Sequence, residues 1–320
     1  MRKEAHVDKN MPARIAPADG TEESPGALAA WIRANREAIE ARLHDEGAML
    51  ARGFHVDTPE AFSTVATALR PELMRYVGGD SPRSQVSDRV YTSTAFPPRM
   101  AIGLHNELSY SRAWPRRLFF CCTVAARSGG ETPIADSRRV LAAMRPSVRD
   151  RFARLGVIYR QHLRDINVAG PGKSWQETFE TVNRAEVEHI CRDQDMVIGW
   201  TERGLRTSLH NPGVLAHPVT GETCWFNQAD LWHADFDTVK AQEHQSSSRE
   251  SSDEAFGCHA LYGDGSEIPT ADLQAIREAY DSAKVMFPWS AGDVLILDNI
   301  LMMHGRQPFE GERQVLVAMA

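Results

Sequence analysis

The sequence predicts a mainly β fold, a double-stranded β-helix (a cupin-like jelly-roll barrel) flanked by helices. Short strand-like segments dominate the part of the chain that carries its polar motifs. Amphipathic helical patterns gather before these segments and between them, as insertions into a barrel would. A chain of 320 residues with 42% hydrophobic residues can bury a sizeable core as one elaborated barrel, and we find no internal repeat.

The first helical and strand patterns come early in the chain. From Gly26, apolar residues recur at intervals of three and four, which predicts an amphipathic helix of about 20 residues. Residues 48–54 read as a short buried strand. Thr58 and Pro59 then offer an N-cap and a first helical residue for a second helix, which we expect to run through Leu69.

The middle and the end of the chain alternate between the two patterns. Residues 76–100 are loop-like, interrupted by a strand at 90–94, and the nearly continuous apolar run at 118–126 predicts a central strand covered on both faces. Thr270 is expected to cap a helix over 271–284. Further helices are predicted at 136–144, 146–155, 175–179 and 184–192, and further strands at 156–163, 285–289, 293–297 and 314–319.

Two segments have compositions unsuited to a core. Residues 1–25 place prolines among charged residues, and we expect a flexible N-terminal arm there. Residues 240–255 are polar and serine-rich, which predicts a mobile surface loop. The rest of the chain, residues 26–320, is expected to form a single domain.

Charge and cysteine usage narrow the function classes. A formal net charge of -7 and a pI near 6.0 argue against a nucleic-acid or anionic-membrane surface, which would need a basic patch. Neither a secretory signal nor an apolar run of about 20 residues is present, so we expect a cytoplasmic protein. Five cysteines show no zinc spacing and no even disulfide framework, which indicates reduced, mostly buried thiols.

His105 and Glu107 form a His-x-Glu pair on a predicted strand. Successive strand residues point to opposite faces of a sheet, so these two side chains share a face and Asn106 points away. Non-haem Fe(II) oxygenases hold the metal with two histidines and one carboxylate, which leaves the other coordination positions open. His304, near the C-terminus, is the candidate third ligand. Taken alone this pattern is a weak signal, because a lone histidine or glutamate is more often a surface or hydrogen-bonded residue; the metal site at His105, Glu107 and His304 is predicted from the motifs that follow it.

Further motifs follow the His-x-Glu pair. They are Gly129-Gly130-Glu131-Thr132-Pro133-Ile134-Ala135-Asp136, Asp298-Asn299, His304-Gly305-Arg306 and Arg313. At these residues the chain resembles the TauD/TfdA superfamily of Fe(II)- and 2-oxoglutarate-dependent oxygenases, from about residue 76 to the end. Glu107 stands where taurine dioxygenase itself uses aspartate. In this respect the chain resembles the clavaminate synthase-like and syringomycin-pathway aspartyl-hydroxylase-like branch.

The resemblance implies how the cosubstrate 2-oxoglutarate is bound. In similar enzymes an arginine shortly after the distal histidine holds the far carboxylate of the cosubstrate, and Arg313 stands at that position. A planar guanidinium suits a bidentate carboxylate contact. Arg306 is the rival for this role. Thr132 matches the threonine whose hydroxyl adds a second hydrogen bond, and Asn299 is expected to order the turn that presents His304.

The resemblance also implies a reaction of Fe(II), 2-oxoglutarate and O2 that releases succinate and CO2. Because Glu107 keeps the carboxylate ligand, no coordination position is vacated for chloride, which favours hydroxylation over halogenation. Arginines among the substrate candidates could bind a substrate carboxylate, or could equally be surface residues. The candidate substrate contacts are Arg83, Tyr91, Ser93, Asn106, Arg206 and Asn227.

The favoured function is hydroxylation of an unactivated C–H bond in an amino acid or amino-acid-derived substrate of a biosynthetic pathway. That small molecule could be free or tethered to a carrier protein, and a homo-oligomer stays open. A second hypothesis keeps the cofactors but oxidises a small sulfonate, phosphonate or ether in nutrient catabolism. A third is a metal-binding barrel protein without turnover. A zinc hydrolase is the remaining alternative, since the same three ligands also suit Zn²⁺.

Overall fold

The computed structural model of the chain describes residues 2–3, 12–20, 22–76, 83–233 and 257–320. Among these residues, no helix is both long enough and apolar enough to cross a bilayer. The helices are α1 (Pro25–Ala34), α2 (Arg36–Glu46), α3 (Pro59–Leu69), α4 (Ser137–Ala143), α5 (Pro146–Leu155), α6 (Trp175–Phe179), α7 (Arg184–Asp193), α8 (Ala229–Trp232) and α9 (Thr270–Ala283).

The strands are short, as the sequence predicts. In chain order they are β1 (Arg2–Lys3), β2 (Ala13–Ala16), β3 (Ala48–Ala51), β4 (Gln85–Ser87), β5 (Val90–Thr92), β6 (Ile102–His105), β7 (Arg117–Val124), β8 (Ser128–Gly129), β9 (Ile134–Asp136), β10 (Val157–Arg164), β11 (Val197–Trp200), β12 (Gly204–Asn211), β13 (Val214–Ala216), β14 (Thr223–Trp225), β15 (Gly257–Tyr262), β16 (Lys284–Val285), β17 (Asp293–Asp298), β18 (Met302–Arg306), β19 (Phe309–Glu310) and β20 (Gln314–Met319).

Most strands belong to one of three sheets. An eight-stranded sheet has the order β1-β2-β3-β17-β7-β20-β5-β4, and a four-stranded sheet has the order β16-β9-β18-β6. A separate four-stranded sheet has the order β11-β12-β10-β15. Its strands come from residues 157–262, which form an insertion in the chain between β9 and β16. Mainly antiparallel strands with helices before and between them are the architecture that the sequence predicts.

Strand β7 divides the interior into two layers. Phe119 and Cys121 pack with the apolar residues of α1 and α3, whereas Phe120 and Cys122 pack in a second cluster on the opposite face of the sheet. The ring of Phe120 lies 5.0 Å from the ring of His304. The alternation of strand side chains therefore explains the continuous apolar run. One face anchors the N-terminal helices, and the other lines the region of the proposed metal ligands.

The predicted N-terminal arm is wrong for residues 13–16. They form β2, which pairs in parallel with β3 inside the largest sheet. Ala13 and Ile15 alternate into the core and are almost fully buried. Prolines and charges on either side obscure this two-residue alternation in the sequence. The predicted loop at 240–255 lies outside the described residues.

Two predicted boundaries also shift. The helix expected from Gly26 is broken at Asn35, whose side-chain amide donates to the Trp31 carbonyl and closes α1 before α2 begins. Thr58 caps α3 as predicted, accepting from the amide of Ala61 at 3.2 Å. At α9, Pro269 takes the N-cap position and Thr270 is already helical.

Candidate active site

Two histidines and one glutamate meet where β6 and β18 lie side by side. His105 ends β6 and stands directly opposite His304 in the antiparallel ladder. The Nε2 atoms of His304 and His105 lie 3.4 Å and 3.9 Å from the same oxygen, Oε2 of Glu107. The two imidazole rings are 4.3 Å apart. Three potential ligand atoms thus surround one point between a pair of strands.

Glu107 lies just beyond β6, in a turn, and not on the strand as the sequence predicts. Asn299 holds it there with both ends of its side-chain amide. The Glu107 amide donates to Oδ1 of Asn299 at 2.7 Å, and Nδ2 of Asn299 donates to the Glu107 carbonyl at 3.0 Å. Asn299 therefore orders the turn that carries Glu107, whereas the sequence predicts that it orders the turn before His304.

The protonation states suit metal binding. Nδ1 of His105 is 2.9 Å from the Gly103 carbonyl, which can only accept, so Nε2 carries the free lone pair. Burial, assisted by His105, lowers the pKa of His304 to about 4. Burial alone would raise the pKa of Glu107, but the Arg83 guanidinium and the two nearby histidines hold that pKa well below its usual range. A neutral His304 and an ionised Glu107 therefore face one another at neutral pH.

Arg83 completes the surroundings of Glu107. Its Nη2 lies 3.0 Å from Oε1 and 2.9 Å from Oε2 of the carboxylate, and its side chain is only 5% exposed. The guanidinium lies 4.3 Å over the ring of Tyr76, whose amide donates to the Tyr91 hydroxyl. Oε2 faces the two histidines, so a cation bound between the three residues would contact Oε2. Oε1 would keep its hydrogen bond from Arg83. Nε and Nη1 of Arg83 are buried and have no hydrogen-bond partner among the described residues.

The donor set fits Fe(II). Two imidazole nitrogens and one carboxylate oxygen on one side of the ion form the facial arrangement of non-haem iron oxygenases. Nδ1 of His304 is buried and makes no hydrogen bond to a described residue, so the ring is held by its neighbours in β18 and by Phe120. The three residues fit Fe(II) because of the types of their donor atoms and because both histidines face the same oxygen, Oε2 of Glu107.

Arg313 and Thr132 both lie at the segment that leads into β9, the strand that pairs with the His304 strand. His304 pairs with Ile134 of β9, two residues after Thr132. Nε of Arg313 donates to the Gly130 carbonyl at 2.9 Å, and a Cβ on Gly130 would come within 2.9 Å of the arginine side chain. This close approach, with a φ of 67° at Gly129 and 75° at Gly130, explains why glycine occupies both positions.

The two candidate arginines have different surroundings. Arg306 donates to the carbonyls of Phe96, Pro97 and Met100, which commits both of its Nη atoms to a surface loop. Neither Nη of Arg313 donates to a described residue. Burial, with Arg306 nearby, lowers the pKa of Arg313 to about 10, so the group is still charged at neutral pH. Of these two arginines, therefore, only Arg313 has two Nη atoms that make no hydrogen bond to a described residue.

Trp289 is a site residue that the sequence reasoning missed. Its indole Nε1 donates to Oγ1 of Thr132 at 3.0 Å. Since the hydroxyl accepts this bond, its own proton can point to another acceptor. A tryptophan at the end of a predicted strand indicates that its indole N–H needs a hydrogen-bond acceptor. Its sequence position does not reveal which residue accepts.

Two of the predicted substrate contacts serve the scaffold instead. Asn106 is fully buried, and its Nδ2 donates to Ser137 Oγ and to the Asn299 carbonyl on the side away from Glu107. Asn227 donates to the Gly213 carbonyl and accepts from the Ala229 amide at the start of α8. Both side chains satisfy buried backbone groups, so the prediction that they line a substrate pocket needs correction.

The other substrate candidates are placed differently. Tyr91 lies behind Tyr76 and supports the ring under Arg83. The amide of Ser93 donates to the Val315 carbonyl, two residues beyond Arg313. Arg206 is exposed on β12, in the separate four-stranded sheet, where it pairs with Gly199 and His162. The structure thus brings Arg83, Tyr91 and Ser93 close to the proposed metal and cosubstrate residues and leaves Arg206 on the insertion.

A second cluster of two histidines and a carboxylate lies at the end of β17. His44, His217 and Asp298 place their ligand atoms within 4.8 Å of one another. Arg117, 3% exposed, fills this cluster: its Nη1 binds Oδ2 of Asp298 and its Nη2 binds Nε2 of His44 at 2.8 Å. The cluster is therefore already occupied by a protein cation.

Comparison with known proteins gives concordant matches. The family described as taurine catabolism dioxygenase TauD, TfdA matches residues 13–319. The dapdiamide synthesis protein DdaC of Enterobacter agglomerans is 37% identical over 282 residues, 88% of this chain and 84% of that protein. A clavaminate synthase-like protein of Arabidopsis thaliana is 29% identical over 325 residues, 98% and 94% of the two chains.

Among solved structures, the same fold is found in an asparagine oxygenase complexed with Fe(II), 2S,3S-3-hydroxyasparagine and succinate. The TM-score is 0.60 at 14% identity, with 96% of this chain and 93% of that chain covered. The predicted jelly-roll fold is thereby confirmed.

Proposed function

The chain belongs to the TauD/TfdA family and is an Fe(II)/2-oxoglutarate-dependent dioxygenase, and we propose that it hydroxylates an amino acid or amino-acid-derived molecule. The observation that carries this proposal is the convergence of two imidazole Nε2 atoms on one oxygen of Glu107. When bound, iron and 2-oxoglutarate supply the oxidation, in which O2 is consumed and succinate, CO2 and a hydroxylated product are released.

His105, Glu107 and His304 hold the iron in this proposal. Metal binding requires no change of protonation at two of them, because the His304 imidazole is already neutral and the Glu107 carboxylate is already ionised. Arg83 keeps its hydrogen bond to Oε1 and so restrains the rotation of the carboxylate while Oε2 faces the ion. The protein contribution at the metal is therefore a preset arrangement of three ligands.

Arg313 and Thr132 hold 2-oxoglutarate. The two Nη atoms of Arg313 would bind the far carboxylate, because Nε donates to the Gly130 carbonyl and so fixes the orientation of the guanidinium. Thr132 accepts from Trp289, and its own proton would donate a second hydrogen bond to 2-oxoglutarate. Arg306 holds the 96–100 loop beside them. These contacts place the keto acid relative to the metal and demand no proton transfer from the protein.

The substrate class rests on two kinds of support. DdaC is named for the synthesis of dapdiamide, and the structural neighbour contains hydroxyasparagine. Glu107 retains the carboxylate ligand, which favours hydroxylation over halogenation. A carrier-tethered substrate is the second form of the same proposal. Attachment to a carrier would deliver the amino-acid unit without changing the chemistry at the metal.

The experiment is a coupled assay on paired substrates. The Fe(II)-loaded chain is supplied with isotope-labelled O2, 2-oxoglutarate and either free amino acids or the same amino acids thioesterified to a carrier protein. We expect succinate release matched by a product that gains one labelled oxygen atom, absent in the Glu107→Ala variant. Turnover of taurine or another sulfonate, with none of any amino-acid substrate, would overturn the substrate class.

A further inference from the structure

The guanidinium of Arg83 is buried but only partly hydrogen-bonded. Its side chain is 5% exposed, and one nitrogen, Nη2, contacts both carboxylate oxygens of Glu107. Nε and Nη1 are buried and have no hydrogen-bond partner in the part of the chain that the structure describes. The N–H group on Nε and the two on Nη1 therefore lack an acceptor. Buried donors of this kind are rare in folded proteins, because leaving them unpaired is costly.

Arg117 is a structural arginine of the same chain and gives a direct comparison. Its side chain is 3% exposed, and all three of its guanidinium nitrogens are hydrogen-bonded. Nε and Nη2 donate to Glu40, and Nη1 donates to Asp298. The two arginines are almost equally buried, so burial does not explain why only one of them is fully paired. The contact with Glu107 uses one nitrogen of Arg83 and leaves two nitrogens for a ligand.

The unpaired donors of Arg83 lie beside the proposed iron site. A guanidinium is a rigid plane, so the positions of Nε and Nη1 follow from that of Nη2, which is 2.9 Å from Oε2 of Glu107. The guanidinium lies over the ring of Tyr76, 4.3 Å from its centre. Burial alone would lower the pKa of Arg83, but Glu107, with Tyr76 and Tyr110, raises it. An acceptor bound to these donors would therefore lie close to a metal ligand and would face a charged guanidinium.

The charges of the loaded site favour an anion as this acceptor. Fe(II) would bring two positive charges, and Arg83 and Arg313 carry one each. Glu107 carries one negative charge and 2-oxoglutarate would bring two. Four positive and three negative charges leave one positive charge unbalanced among buried groups, which is unfavourable. A carboxylate would balance it, and its planar shape matches a guanidinium.

We propose that Arg83 binds a carboxylate of the substrate through Nε or Nη1, while Nη2 keeps its contact with Glu107. This role rests on the proposed function and narrows its substrate class. The contact with Glu107 is compatible with the role that the sequence predicts for Arg83, because it uses one nitrogen only. The substrate must then present a free carboxylate near the iron. A free amino acid does so, whereas an amino acid joined to a carrier through its α-carboxylate does so only if its side chain is acidic.

The test compares the binding of acids and of their amides without turnover. The full chain is saturated with Mn(II) and N-oxalylglycine, which replace iron and 2-oxoglutarate but support no reaction. It is then titrated by calorimetry with free amino acids, with their α-carboxamides, and with the aspartyl and asparaginyl thioesters of pantetheine. We expect the acid that binds to do so at least about tenfold more tightly than the matching amide.

Three variants assign this preference to Arg83. Arg83→Gln keeps a donor beside Glu107 but removes the charge, and should bind acid and amide about equally. Arg83→Lys keeps the charge and should keep part of the preference. Arg75→Gln is the matched control, because Arg75 is exposed and pairs with Glu180, and it should keep the full preference. Each variant is saturated with Mn(II) before the titration, so a weaker metal site cannot imitate a loss of substrate binding.

The outcomes separate this role from the proposed function. A preference of tenfold or more for the acid in folded Arg83→Gln would overturn the role of Arg83. Equal binding of acid and amide by the wild type would also overturn it, and hydroxylation of either compound would leave the proposed function intact. If no amino-acid probe is bound or hydroxylated, the proposed function itself fails. Circular dichroism of each variant checks folding.

Discussion

The iron-ligand triad (His105, Glu107 and His304) and the arginine-filled cluster (His44, His217 and Asp298) have nearly the same composition and opposite chemistry. In the filled cluster every strong acceptor is already used. Oδ1 of Asp298 accepts from the amides of Ile300 and Leu301, and Oδ2 accepts from Arg117 and His217. Nδ1 of His217 faces the amides of Val219 and Thr220.

The triad keeps its lone pairs. Both Nε2 atoms face Oε2 of Glu107, and the fixed hydrogen bond of His105 lies on its Nδ1, while Arg83 contacts both oxygens of the carboxylate. Ligand type and proximity therefore do not identify a metal site. The deciding feature is which lone pairs remain after the protein has satisfied its own buried groups.

Replacing one histidine in each cluster should give the largest contrast. His105→Ala removes an iron ligand, and we expect turnover to fall to background while the protein stays folded. His44→Ala removes a neutral acceptor at the edge of the filled cluster, which should cost about 1 kcal/mol of stability and leave turnover intact. Succinate release and chemical denaturation of both variants measure these effects. Full turnover by His105→Ala would remove it from the ligand set.

Arg117→Met should destabilise the filled cluster strongly. It leaves Asp298 and Glu40 without their buried cation, and breaking such a pair costs about 3–5 kcal/mol. The midpoint of urea unfolding should fall accordingly, with iron stoichiometry unchanged in the fraction that remains folded. A variant as stable as the wild type would show that Arg117 does not hold this cluster together.

Arg313→Met tests whether Arg313 binds 2-oxoglutarate. Loss of a desolvated bidentate contact costs on the order of 2–5 kcal/mol, so the apparent requirement for 2-oxoglutarate should rise roughly 30-fold or more. Iron affinity should stay close to normal. Arg306→Met is the matched control: it should loosen the 96–100 loop and change 2-oxoglutarate binding little. If only the Arg306 variant weakens that binding, the two roles are reversed.

The buried neutral histidine of the triad predicts a pH dependence for the metal-free protein. His304 has a pKa near 4 when folded and an ordinary value of 6.5. Between these values the unfolded chain binds the extra proton, so the free energy of unfolding should fall as the pH falls from 6.5 to 4. The loss is at most about 3 kcal/mol. The difference in unfolding free energy between wild type and His304→Gln should shrink over this window; a constant difference would refute the shift.

Local patterns in the sequence predicted the fold and many of its elements. The apolar run of β7 and the cap at Thr58 depend on neighbouring residues, and the structure contains both. The strand at Ala13–Ala16 depends on tertiary pairing with β3, which periodicity does not reveal. The break at Asn35 depends on a local side-chain bond to the Trp31 carbonyl, which the apolar periodicity also does not reveal. The motif spacing likewise pointed to the triad, which the structure brings together.

The residues that hydrogen-bond to the site residues and hold them in place could not be predicted from the sequence. Arg83 was a candidate for a substrate carboxylate, but in the structure it binds Glu107. Asn299 clamps Glu107, and Trp289 fixes Thr132 across more than one hundred residues of chain. Each of these contacts joins distant segments. The type of a residue predicts that it needs a hydrogen-bond partner, but it does not predict which residue that partner is.

The most direct test of the comparison is anaerobic loading with Fe(II) and 2-oxoglutarate, followed by the visible absorption band of iron chelated by the keto acid. His304→Gln and His217→Gln are matched variants, since both histidines are buried and each cluster loses one imidazole. The account predicts that wild type and His217→Gln show the band and that His304→Gln does not. A band that survives in His304→Gln, or that disappears in folded His217→Gln, would contradict the assignment of the iron site.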